Sequence, residues 1–325
     1  MNRATCRSRT PVLRPRPWAP GVAGLCLAIL GAVSSARAQA WTQAPGHVYV
    51  KLAYGAATAG EQYGFDGRAK LYADDVYAPA FYDRSVYLYA EAGLLPALSA
   101  SVSLPYKRVI VRDSAFRYAA GALGDLELGL RQSLVPLGFV PASGALAVNL
   151  KASLPTGYVR NTVPAPGAGQ VDLTGSLDYG QGFGGWGYGQ VGLGYRVRTP
   201  WYGLSTAVPC QPGQDRGCTA DERPDHGDEV VARAELGVRP WGPVLLQGMG
   251  SAVMSVAAPT VGFAVGQTTP THQRYVKAGA GVLVEPVAHL GLSAQVQVTP
   301  WGRNTVKSVD FFFGLSTDFD LGGEP

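Results

Sequence analysis

The residues of this chain best placed to do chemistry are charged side chains set at every second position of apolar runs. In GDLELGLRQSL, residues 124–134, Asp125, Glu127 and Arg131 alternate with Leu126, Leu128, Leu130 and Leu134. A period of two puts the two sets on opposite faces of a strand. Collected along the chain, the polar face holds the carboxylates Glu91, Asp125, Glu127, Asp172, Asp178, Glu229, Glu235, Asp310 and Asp318. Its bases are Lys51, Arg131, Lys151, Arg196, Arg198, Arg233, Arg239 and Lys277. The two signs are balanced, whereas a pore selective for one ion sign would carry a single-signed ring. A balanced face has two chemical meanings. The charges can pair across neighbouring strands and satisfy one another, or they can line a polar path that leaves room for water and a small solute.

Other chemistries find less support. The histidines are His47, His226, His272 and His289. Ser293 shares a face with His289, but four residues of strand span about 13 Å, against the roughly 3 Å that a general base needs. No catalytic residue is assigned. Cys210 and Cys218, in PCQPGQDRGC, suit a small disulfide-closed loop in an oxidising compartment. Beyond the N-terminal 40 residues no other cysteine accompanies them, so no metal site is expected. The acidic stretches Asp74-Asp75 and DERPDHGDE, residues 221–229, read as solvated loops rather than calcium sites. No phosphate-binding glycine loop occurs and no cofactor is expected. The glycines of GQGFGGWGYGQVGLG, residues 180–194, mark a tight turn and a strand crowded by bulky neighbours.

Only repeated strands can hold charges at this spacing. Residues beyond 40 show no helical periodicity, while alternation at period two recurs about twelve times. The expected strands are 47–59, 85–95, 98–112, 124–135, 144–155, 171–180, 185–198, 228–239, 244–256, 272–285, 290–299 and 307–319. Connections between them run long and short in turn. A soluble sandwich has no reason to keep its long loops at every second connection. An up-and-down barrel in an outer membrane does, with short periplasmic turns and longer extracellular loops. The expected fold is therefore all-β: an up-and-down antiparallel transmembrane β-barrel of about twelve strands, leucines toward lipid and charges toward the lumen. Trp41, Trp186, Trp201, Trp241 and Trp301 fall at or just past strand ends, where a membrane interface would hold them.

The N-terminal 40 residues read as a secretory signal. A basic stretch precedes the apolar run GVAGLCLAILGAV, residues 21–33, and small residues end in Ala36-Arg37-Ala38 or Ala38-Gln39-Ala40. The run is short of the roughly 20 residues that a membrane-spanning helix needs. Residues 41–325 then form one barrel domain. The formal net charge of +4 counts Arg3, Arg7, Arg9, Arg14 and Arg16. Without them the chain is close to neutral and carries no footprint for nucleic acid.

Three stretches in order, SASVSLPYKRV (99–109), ALGDLELGL (122–130) and ASLPTGY (152–158), precede a closing strand of alternating phenylalanines. This series resembles the outer-membrane β-barrel proteins grouped under the MetA pathway of phenol degradation. The resemblance implies an outer-membrane channel or transporter for small, often aromatic, compounds. One departure is the end, where Phe319 is followed by DLGGEP rather than closing the chain. The reading that follows is a passive channel for small, aromatic or hydrophobic molecules. Its alternative is a structural or surface-binding barrel with an occluded lumen, and a lesser one is an outer-membrane lipid hydrolase. Expected partners are outer-membrane lipids, a small-molecule solute and the barrel-assembly machinery.

Overall fold

The computed structural model describes residues 40–71, 81–112, 117–138, 140, 143–159, 162, 164–201, 226–256, 263–264, 267–268 and 272–321. The expected signal segment up to Gln39, Cys210, Cys218 and the Asp74-Asp75 pair lie outside these residues.

Twelve long strands make the wall. They are β1 His47–Tyr63, β2 Phe81–Leu95, β3 Leu98–Arg112, and β4 in two segments, Arg117–Leu123 and Asp125–Ser133. Then come β5 Gly144–Pro155, β6 Asp172–Gly182, β7 Gly187–Arg198, β8 Glu229–Trp241 and β9 Val244–Ser255. The last three are β10 Arg274–Val287, β11 Leu290–Arg303 and β12 Thr305–Asp320. Each strand pairs antiparallel with its neighbours in sequence, and β12 returns to β1, with Val48 opposite Phe319 and Tyr63 opposite Thr305. The sheet therefore closes into an all-β barrel without an edge. Closure lets the backbone meet its own hydrogen-bonding needs inside hydrocarbon, where an unsatisfied group costs several kcal/mol.

Burial is inverted relative to a soluble protein. Leu128 and Phe313 are 44% and 55% exposed, whereas Asp178 and Glu229 are 1% and 0% exposed. The ladder lines up the outward side chains into a belt. Leu104, Leu88, Leu52, Leu315 and Leu292 stand opposite one another across β3, β2, β1, β12 and β11. That belt faces lipid, so the leucines of GDLELGLRQSL are the outer surface of the molecule.

Two differences from the sequence reading share one cause. Residues 113–123 were expected in a loop, yet Arg117–Leu123 extends β4 and pairs with the end of β3. Likewise β1 continues to Tyr63 rather than 59, and β11 to Arg303 rather than 299. These tips lie on the side of the long loops, beyond the apolar belt. No lipid imposes an alternation there, so the sequence shows none. At Gly124 the β4 ladder slips, and its N–H donates to Pro105 O at 2.8 Å.

Candidate functional site: a laddered lumen closed at its periplasmic end

The inward face carries three levels of polar contact. At the first level Arg131 of β4 donates to Glu91 of β2 at 2.6 Å and to Asn149 Oδ1 of β5 at 2.8 Å. Asn149 in turn donates to Asp178 of β6, which also accepts from Ser176 at 2.9 Å and from Arg233 Nε of β8 at 2.8 Å. One connected chain thus runs from β2 to β8. At the second, Glu235 accepts from Tyr188, from Gln247 at 2.9 Å and from Gln190 at 3.1 Å. At the third, nearer the long loops, the fully buried Glu229 accepts from Arg196 at 2.9 Å, Arg198 at 3.4 Å and Gln273 at 2.9 Å. Arg198 also lies 3.7 Å from Asp172.

Small residues make the longer pairs possible. Gly192 of β7 stands directly between Asp178 and Arg233 in the ladder, and a Cβ there would lie 2.8 Å from Arg233 Nε. The missing side chain lets two charges on alternate strands meet over the strand between them. Ser99 and Ser101 of β3 stand between β2 and β4 where Glu91 meets Arg131. This is the crowding that the glycine-rich stretch at 180–194 signals.

The remaining sequence candidates fall into two groups. Arg239 donates to Glu285 at 2.9 Å, Lys277 pairs with Asp310, and Asp318 lies 3.2 Å from His47 and 3.0 Å from His289. Asp125 is held by the loop after β5: it accepts from the Tyr158 hydroxyl and from Ala168 N–H at 2.6 Å. In contrast, Lys51, Lys151 and Glu127 make no hydrogen bond or ion pair among the described residues. Glu127 and Lys151 border a cavity of about 340 Å3 that Ala168 roofs from the loop side.

Trp41 departs from its expected place. The other tryptophans, Trp186, Trp201, Trp241 and Trp301, stand exposed at strand ends. Trp41 instead lies inside the barrel, edge-on to Tyr188 with ring centroids 6.2 Å apart, and packs with Leu283 against Tyr188 and Leu245. The reason is that residues 40–46 turn back into the mouth rather than running on into the membrane interface. Gln43 N–H donates to Ser99 Oγ at 2.8 Å, and Arg131 donates to Trp41 O at 2.9 Å. Gly46 N–H donates to Gly93 O at 2.9 Å. Two inward glycines accommodate the segment: a Cβ on Gly93 would lie 2.8 Å from Gln43 O, and one on Gly180 would lie 2.6 Å from Trp41 Cζ3. Sequence reasoning missed this plug. The available signal was a set of apolar and glycine residues at inward positions, Gly93, Gly180, Tyr188, Leu245 and Leu283, where a uniformly polar lumen has no use for them.

His47 and His289 are occupied by carboxylates at the periplasmic rim, and the His272 ring packs 5.3 Å from Phe65. A closed barrel with an apolar outer belt and a polar, ion-paired lumen defines a transmembrane β-barrel of the outer-membrane type.

Comparison with known proteins agrees with that class. The chain is similar to the COG4313 outer membrane channel from Pseudomonas putida F1, with a TM-score of 0.67 and 14% identity, covering 88% of this chain and 100% of that one. It also matches the NanC porin, with a TM-score of 0.47 and 4% identity over 82% of this chain and 98% of that one. The KdgM porin in complex with disordered oligogalacturonate matches with a TM-score of 0.45 and 5% identity, covering 83% of this chain and 99% of that one. No protein-family model and no curated protein sequence matches the chain. At 14% identity the likeness to the COG4313 channel is one of fold.

Proposed function

We propose that the protein is a passive outer-membrane channel for small solutes, held shut by its own N-terminal segment. The observation that carries this reading is how the lumen is closed. A solid wall of side chains would make a permanent seal, but here a short strap of residues 40–46 sits in the mouth on a few hydrogen bonds. Above it lies a cavity rather than packed protein. Such a strap can leave without unfolding the wall. The order of the PY, GDL-x-LGL and LPTG stretches supports membership of the MetA-pathway group and, with it, small aromatic or hydrophobic solutes. The channel named among the similar structures supports the same class of activity.

A second reading, a sealed barrel with a structural role, is favoured by the number of lumen charges already paired. Planar-bilayer recording separates the two. Purified protein should show rare, low-conductance openings, and a variant lacking residues 40–44 should show frequent openings of several-fold larger conductance. Silence from both proteins over a range of voltages, together with no solute flux into liposomes, would leave only the sealed barrel.

A further inference from the structure

The wall of the lumen cavity carries charged groups on both sides and a small apolar patch on one. Glu127 faces Ser153, and Lys151 faces Gly129, so the two charges are diagonal neighbours on adjacent strands β4 and β5. Their roots are roughly 7–8 Å apart. Across the cavity Val231 and Val253 form a direct cross-strand pair on β8 and β9. Beside Val231 the ladder places Gly194, which adds no side chain to the space.

Lys151 and Glu127 make no hydrogen bond and no contact-distance ion pair among the described residues, and each lies within electrostatic reach of the other. The others are engaged: Asp125 by the loop, Asp172 by Arg198, Arg196 by Glu229 and Arg233 by Asp178. A lone lysine would attract any small anion. A carboxylate next to it repels that same anion, so a singly charged solute gains at one group and loses at the other. A solute carrying both charges satisfies both groups together and leaves no charge exposed in a confined space. A cavity of about 340 Å3 suits a solute of amino-acid size.

We propose that this cavity is a binding subsite for small zwitterions of amino-acid type with an apolar side group. The carboxylate sits on the Lys151 ammonium, the ammonium on the Glu127 carboxylate, and the side group against Val231 and Val253. The assignment goes beyond the channel reading by naming a zwitterionic rather than a purely hydrophobic solute class, and it rests on the lumen being a solute path.

Binding can be measured without flux. Ligand-detected NMR titrations of the folded barrel in detergent micelles would use L-leucine, 4-methylpentanoate, which lacks the ammonium, and 3-methylbutylamine, which lacks the carboxylate. L-Leucine should bind at least tenfold more tightly than either single-charge analogue. Lys151→Met and Glu127→Gln should each weaken L-leucine at least tenfold, while Lys307→Met, paired with Glu61 away from the cavity, should leave it unchanged. Equal binding of the three probes by the unaltered protein, or no binding of any, overturns the proposal whether or not the variants fold. If L-leucine binds but bilayers stay silent, the subsite stands and the channel reading falls. Conductance without any preference for L-leucine has the reverse meaning.

Discussion

Arg131 ties the wall to the strap. Its guanidinium serves Glu91, Asn149 and the Trp41 carbonyl at once, and its side chain is nearly inaccessible. Removing one partner of a buried ion pair leaves an uncompensated charge, which costs about 3–5 kcal/mol. Arg131→Met should therefore lower the urea midpoint of the barrel in detergent, read by tryptophan fluorescence. Adding Glu91→Gln to Arg131→Met should recover much of the loss, because the stranded carboxylate is then gone. Equal stability of the single variant and the unaltered protein would show that water in the lumen screens the pair. The charges of the opening motif are thus unlike one another in role: Arg131 is structural, Asp125 anchors a loop, and Glu127 is left to the cavity.

At the level of elements, the strap of residues 40–46 is positioned by what β2 and β6 lack. Gly93 and Gly180 present bare backbone to it, and any side chain there would overlap it. Gly93→Val and Gly180→Leu should each expel the strap and raise single-channel conductance several-fold. Both barrels should keep the heat-modifiable gel mobility of a folded barrel, because these inward positions lie on the lumen face of strands that stay paired. Unchanged conductance with a folded band would mean that the strap does not gate. The same logic explains Gly192, whose absent side chain lets Asp178 reach Arg233 over β7. Small inward residues in this barrel are openings through which distant partners meet.

Across the whole molecule, neighbouring positions on one strand should tolerate opposite changes. Leu52 lies near the middle of the outer belt and Lys51, one residue before it, faces the lumen. An arginine on the lipid face near the midplane costs about 2–4 kcal/mol, whereas lumen substitutions mainly tune selectivity. Leu52→Arg should therefore destabilise the barrel by that amount in a reversible folding titration into lipid vesicles, and Lys51→Gln should cost less than about 1 kcal/mol. The reverse order would overturn the inside-out assignment.

Alternation alone determined the twelve strands, their long and short connections, and which face of each meets lipid. That legibility has a physical source: lipid on one side and water on the other impose a period of two on every residue within the belt. It failed where lipid is absent, at the tips Arg117–Leu123 and Arg303, whose residues answer to no such rule. Which charges share one face of a strand was also readable, because parity is local. Their pairing was not. Asp178 and Arg233 are 55 residues apart on strands that do not touch in the ladder, and only the curvature of a closed wall brings them together over Gly192. Nor could parity place Trp41, which precedes the first strand and has no face to follow. Closure of the barrel created the pocket of Tyr188, Leu245 and Leu283 that receives it, so the state of the mouth was decided by tertiary structure alone.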